Sequence, residues 1–286
     1  MLKPVPDKPA LLITAENGEN VLVVADLHIG FELELASQGI RVPSQAEKLL
    51  TSLKQIIRDY SPSRLILLGD IKHEIAKISP SEWIDIPKFF NSLLKEKISV
   101  EVIPGNHDGN IEPLTPRAVK IHSVRGVLLK TLKNTLIGLI HGHAWPSPSL
   151  FQAETIVMGH VHPVIELRDH MGFRMVEPVW VKVKVSTEEL IKDYLKYRKI
   201  KFSESSIDAF KETFGFAPRT ENIIIMPAFN DYLRGAAINK FQRTSLLGPL
   251  LEAEIMHIQA SEVYLLDGTF LGEIATLQRL SVNSEL

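Results

Sequence analysis

The run Arg64-Leu-Ile-Leu-Leu-Gly-Asp70 is apolar without alternation until it breaks at a glycine and ends on a carboxylate. A strand with one wet face alternates polar and apolar residues, so an unbroken run expects cover on both faces and hence a sheet buried between layers. Four other stretches share the design. Val21–Ala25 leads into Asp26-Leu27-His28, and Ser99–Ile103 leads through Pro104 into Gly105-Asn106-His107-Asp108. Thr135–Ile140 leads into His141-Gly142-His143, and Thr155–Met158 into Gly159-His160-Val161-His162. Polar side chains at strand tips, beside glycine breaks, are poor core material and well suited to a site.

Helical patterns separate the early runs. Between Pro43 and Tyr60 apolar residues fall at 46, 49, 50, 53, 56, 57 and 60, the stripe of a helix opened by proline. A second helix is expected around Glu82–Glu96. Strand, helix, strand then repeats into an α/β sheet, in which ligands sit beyond the carboxyl ends of the strands. The sheet starts with a hairpin of residues 11–14 and 21–25. From Ile111 to His162 strands dominate, at 119–124, 127–132, 135–140 and 155–158, which predicts a second sheet packed on the first. A hairpin of 164–169 and 173–185, joined through His170-Met171-Gly172, extends it, and strands resume at 222–226, 262–266 and 269–275. No repeat or linker stands out. The chain reads as one domain over 1–286, with a metal-site core at 20–165, a helical insertion at about 186–216 and C-terminal strands at 220–280.

The absence of cysteine removes thiolate ligands, disulfides and thiol catalysis, so any metal must be held by His, Asp, Glu or Asn. A net charge of -2 argues against binding nucleic acid by global attraction and leaves only local basic surfaces. The N-terminal stretch Met1-Leu-Lys-Pro-Val-Pro has no apolar run of signal-peptide length and no run anywhere reaches membrane-spanning length, so a cytoplasmic protein without a membrane partner is expected.

In order, the strand-end residues are Asp26, His28, Asp70, Asn106, His107, His141, His160 and His162. One such histidine would read as an ordinary loop residue, but five strand ends repeating the pattern point to a metal site. A tetrahedral zinc needs three or four ligands, whereas seven around a shared carboxylate suit two ions about 3.5–4 Å apart, an arrangement used for phosphoryl transfer.

The motifs Asp26-x-His28, Gly69-Asp70, Gly105-Asn106-His107-Asp108, His141 and Gly159-His160-x-His162 resemble the signature of the calcineurin-like metallophosphoesterases. The resemblance implies a four-layer α-β-β-α sandwich of two mixed sheets flanked by helices. It also implies that Asp26, His28 and His162 hold one divalent cation, that Asn106, His141 and His160 hold the other, and that Asp70 bridges them. Mn²⁺ is the expected ion, with Zn²⁺, Fe²⁺, Ni²⁺ and Mg²⁺ as alternatives, and a metal-bridging hydroxide is the expected nucleophile. His107 is the candidate to protonate the leaving group, because it adjoins Asn106 without being needed for coordination. Asp108 either keeps that imidazolium available or caps a turn. His73 departs from the family pattern, which often has an acid there, and reads as a residue that orients a ligand, as a substrate contact or as a loop residue; His143 reads as a substrate contact or as a solvated neighbour of His141. His122, His170 and His257 fall outside the pattern.

Gly69-Asp-Ile-Lys-His-Glu74 and Met226-Pro-Ala-Phe-Asn230 are similar to the SbcD-related branch of archaeal and DNA-ligase-associated phosphoesterases. Residues 182–201 add seven basic residues against three acids. Both features favour a phosphodiesterase, a nuclease acting on DNA or RNA with single-stranded substrate, and Phe229 as a substrate contact. A helicase, ligase or ATPase partner is implied by the resemblance alone. The alternatives are a phosphomonoesterase acting on nucleotides or other small phosphoesters, and a scaffold that keeps the fold without turnover; eroded ligands would mark the scaffold.

Overall fold

A computed structural model describes residues 2–168, 171, 173–233, 235–240, 248–250 and 258–283. The first sheet runs in chain order: β1 (Leu2–Pro4), β2 (Ala10–Thr14), β3 (Asn20–Ala25), β4 (Arg64–Leu68), β5 (Ser99–Ile103) and β6 (Lys120–Ile121). Its opening pairs are antiparallel and β3 to β6 are parallel. The 119–124 stretch expected in the second sheet therefore pairs with β5 of the first, over only two residues.

The second sheet contains β7 (Val127–Lys130), β8 (Leu136–Ile140), β9 (Thr155–Met158), β10 (Pro163–Arg168), β11 (Arg174–Lys184), β12 (Asn222–Ile225) and β13 (Ala236–Ala237), in the order β13-β10-β11-β12-β9-β8-β7. β14 (Glu262–Leu265) pairs with β11 and with β15 (Phe270–Glu273). Parallel and antiparallel pairs coexist, so both sheets are mixed.

Strand periodicity divides the core into three. Val21, Val23, Ile66 and Leu68 point between the sheets, where they meet Leu139, Val157 and Met226. Their neighbours Leu22, Val24, Leu65 and Leu67 point the other way, onto α2 (Ala46–Tyr60) and α3 (Pro80–Leu94). The buried face of α2 is Ala46, Leu49, Leu50, Leu53, Ile56 and Ile57, the stripe expected from the sequence. On the far side Ile140, Ile156, Val181 and Ile223 meet α4 (Thr187–Tyr197), α5 (Ser206–Phe214) and α6 (Ile274–Asn283). The result is the four-layer helix–sheet–sheet–helix sandwich.

Two helices depart from the sequence expectation. Phe31–Ser37 forms α1, too short for a periodic signal. The strand expected to 275 stops at Glu273 and α6 begins at Ile274, so the C-terminal region is not all strand. Ile274 and Leu277, three apart, are buried on one face, and that spacing is helical. His170 and His257 lie outside the described residues.

Candidate metal centre

The loops after β3, β4 and β9 run side by side. Asp26 N donates to Gly69 O at 3.2 Å, His28 N to Asp70 O at 2.8 Å, and His160 N to Asp26 Oδ2 at 3.0 Å. Such close approach needs glycine. A Cβ at Gly69, where φ is +72°, would stand 2.5 Å from His141 Nδ1 and 2.6 Å from Gly105 N.

The turns are strained as well as tight. Asp26, His28, Asp70, His160 and His162 all have positive φ, between 42° and 73°. A non-glycine residue in this region costs on the order of 1–3 kcal/mol and persists only where its surroundings enforce it. Five such residues meeting at one place turn their side chains inward together.

Among the described residues three groups have potential ligand atoms within 4.8 Å of one another: one is the all-histidine set His28, His73 and His107, and the other two are built on carboxylates. The first of those two is Asp26, His28, Asp70 and His162; the second is Asp70, His141 and His160. Asp70 alone belongs to both. Asn106 joins the second, its Oδ1 lying 3.3 Å from His141 Nε2. His141 Nδ1 donates to Leu68 O at 2.7 Å, which aims Nε2 at Asp70 Oδ2, 3.3 Å away. All seven residues expected to be ligands are thus brought together.

The charges depend on each other. Burial alone would raise the Asp26 and Asp70 carboxyls. His162 and His141 more than offset this at Asp26, and His141 and His28 hold Asp70 well below the usual carboxylate range. Burial works against a charge on His141, but Asp70 and Asp26 raise it to about 9. Burial and the neighbouring His141 in turn bring His143 and His160 down to about 4. Among the described ion pairs of Asp26 and Asp70 there is no lysine or arginine, so imidazoles carry all the compensating charge.

That donor set fits divalent cations. His28 Nε2 and His162 Nε2 are buried with no hydrogen bond, although carboxylate oxygens lie 3.4 and 3.3 Å away. Buried polar atoms are normally satisfied, and nitrogens gathered around carboxylates without bonding them are what a cation site requires.

Around this core the structure corrects several expectations. Neither oxygen of Asp108 serves His107. Oδ1 accepts from Ile71 N and Lys72 N at 2.8 and 3.3 Å, and Oδ2 from Gly105 N at 2.8 Å, so Asp108 clamps the loop after β4 to the loop after β5. Burial, with Asp70 nearby, pushes its carboxyl up to about 6. His107 is oriented instead by its Nδ1, which donates to His73 O, and its backbone N donates to Asp70 Oδ1 at 2.9 Å.

His73 is not available as a substrate contact, because both ring nitrogens are taken. Nδ1 is 3.2 Å from His28 Nδ1 and Nε2 is 2.8 Å from Glu34 Oε2. Glu82 was not among the expected site residues, yet its buried Oε1 accepts from His73 N and Glu74 N at 2.9 Å while the side chain completes a capping box with Ser79. The Ser79-x-x-Glu82 spacing was the signal that could have found it. His143 stands 5.2 Å from the His141 ring, its buried Nδ1 without a partner.

Phe229 is only 5% exposed and belongs to the core, so it lines the site region as packing. Next to it, Asn230 Nδ2 donates to Leu27 O at 2.9 Å and its Oδ1 accepts from Tyr232 N at 3.0 Å, tying this loop to the Asp26–His28 turn.

The calcineurin-like phosphoesterase profile matches residues 19–187, more than half of the chain and every residue of both groups. The chain belongs to this family. The calcineurin-like phosphoesterase described here is therefore a metal-dependent hydrolase of phosphoric esters. Among solved structures it is similar to nuclease MPE of Pseudomonas putida, with 20% identity over 93% of this chain and 98% of that one and a TM-score of 0.49. It is also similar to an archaeal phosphodiesterase, with 14% identity over 52% of this chain and 77% of that one and a TM-score of 0.31. A third likeness is to the E. coli phosphoesterase YfcE, with 16% identity over 52% of this chain and 73% of that one and a TM-score of 0.34. No curated protein matches the chain. Among the described residues no helix is long and apolar enough to cross a membrane.

Proposed function

We propose that this calcineurin-like phosphoesterase is a phosphodiesterase acting on nucleic acid, with Mn²⁺ as its activating ion. One observation carries the preference for diesters: among the described ion pairs of Asp26 and Asp70 every partner is an imidazole and none is a lysine or arginine. A phosphomonoester carries most of a second negative charge near neutral pH, which a monoesterase site must meet with further cationic donors. A diester carries one charge and has no such need.

In this proposal Asp26, His28 and His162 hold one cation, Asn106, His141 and His160 the other, and Asp70 serves both. Bound there, the ions lower the pKa of a water and offset negative charge on the phosphoryl oxygens. The Leu68 carbonyl keeps the His141 tautomer that presents Nε2 to the site. The His73 carbonyl does the same for His107, whose Nε2 points inward, 3.9 Å from Asp70 Oδ2. His107 Nε2 is then the atom that delivers a proton to the departing alkoxide.

The test is a substrate panel with Mn²⁺: bis(p-nitrophenyl) phosphate, p-nitrophenyl phosphate and end-labelled oligonucleotides, with Asp70→Asn as the blank. Cleavage of diesters and oligonucleotides is expected. Efficient hydrolysis of monoesters with diesters untouched would overturn the proposal in favour of the phosphomonoesterase.

A further inference from the structure

A groove of about 610 Å³ begins at His162 and leads away from the metal centre. Its walls come from three distant parts of the chain: the turn before β2, the face of α2 at Lys48, and the 228–233 loop facing β10 and β11. The inner wall is apolar, with Phe229, Pro163 and Val164, and the rim carries Lys8, Lys48 and Arg174.

Two acids, Asp7 and Asp231, also line it. Asp231 is held by Lys48 Nζ at 2.6 Å with both side chains more than half exposed, so the pair contributes little and exchanges readily for a competing anion. Arg174 reaches Glu166 at 2.8 Å, a carboxylate that Lys240 also meets at 2.5 Å, so Arg174 shares its partner with a second cation.

Tyr232 adds a second kind of surface. It is 39% exposed, lines the groove, and has Lys48 Nζ 4.6 Å from its ring centroid. Its backbone is fixed through Asn230 to Leu27, the residue between Asp26 and His28. An aromatic face at a fixed offset from a metal centre, flanked by cations, is suited to an unstacked base with phosphates on either side. A duplex keeps its bases stacked and cannot offer one to Tyr232.

Resting on the diesterase proposal above, we infer that this groove is the path of a single-stranded nucleic acid, with Tyr232 stacking a base and Lys48, Lys8 and Arg174 meeting backbone phosphates. Sequence could not show it, because the contributing segments are far apart in the chain. The basic segment 182–201 is the competing surface, and on it Tyr197 is 48% exposed and stacks on Trp145 at 5.6 Å.

The experiment measures kcat and KM with Mn²⁺ for labelled oligo-dT, oligo-U and bis(p-nitrophenyl) phosphate, in the full chain and in Tyr232→Ala, Tyr232→Phe, Lys48→Ala and Tyr197→Ala. Tyr232→Ala should raise the oligonucleotide KM about tenfold with little change in kcat, the size of one lost stacking contact. Tyr232→Phe keeps the stacking face and should restore the KM. Lys48→Ala should reduce the slope of log affinity against log salt by about 0.7, measured by anisotropy on the uncleaving Asp70→Asn background. The difference between oligo-dT and oligo-U separates DNA from RNA as the source of the strand. A wild-type KM in Tyr232→Ala, or a loss falling on Tyr197→Ala instead, overturns the groove while leaving the diesterase proposal standing. Hydrolysis of the small diester with both oligonucleotides untouched overturns the groove and the nuclease together, and activity on monoesters alone overturns the diesterase itself.

Discussion

Glu101, within β5, and Asp70, beside the loop that follows β5, are both buried acids that meet imidazole, yet they are built differently. Glu101 is satisfied: Arg64 Nε donates to Oε1 at 2.8 Å and His122 Nε2 lies 2.6 Å from Oε2. Asp70 Oδ2 has imidazole nitrogens at 3.3, 3.4 and 3.9 Å, and one of them, His28 Nε2, is buried with no hydrogen bond at all. A completed network stabilises the fold without needing anything further, whereas convergent donors left short of one another are arranged for a cation. Distance and satisfaction, rather than residue type, separate a structural ion cluster from a site.

The largest effect that sharpens this contrast is at Asp70. Asp70→Asn should lower hydrolysis about a thousandfold or more and reduce bound metal measured by elemental analysis, with Glu101→Gln leaving metal content unchanged. Full metal occupancy and full activity in Asp70→Asn would break the comparison.

His107→Ala should keep both metals and lose about 10²–10⁴-fold in kcat on substrates with poor leaving groups. The loss should be least for p-nitrophenyl esters, whose leaving group needs no proton. An equal loss on all esters would remove His107 from the role of proton donor.

Asp108→Asn is expected to act through stability. An amide cannot accept from Gly105 N on one side and from Ile71 N and Lys72 N on the other, so about 1–3 kcal/mol should be lost in denaturant unfolding of the metal-loaded protein. An unchanged midpoint would show that the two loops do not need the clamp.

The smallest effect belongs to Glu101. Burial pushes its carboxyl up, but His122 and Arg64 outweigh burial and bring it from 4.5 down to about 2. A lowered folded-state value stabilises the fold above pH 4.5 and is lost as pH falls toward 2. The stability gap between the protein and Glu101→Gln should therefore close across that window, and a constant gap would mean that the cluster holds by shape alone.

The strand ends were legible because an apolar run that stops at glycine and polar residues carries its meaning locally. Asp26, Asp70 and His141 could each be found from their own neighbours in the chain. Sequence left the role of His73 open for the opposite reason: its partners, Glu34 and His28, lie 39 and 45 residues away. Asp108 was readable as a turn residue but not as the clamp between two loops. The helix from Ile274 was mistaken for strand because a short apolar run looks alike in both until its buried face is known.

By itself the sequence determined the layered α/β fold, the phosphoesterase motifs and the residue types available for a metal, because hydrophobic period and strand-end chemistry are properties of short segments. Only the tertiary structure decided that two ligand groups share Asp70, that five of their residues adopt positive φ, and that Tyr232 and Lys48 meet beside His162. Those features come from loops separated by tens to hundreds of residues, and only the packing of the two sheets brings them within reach of one another.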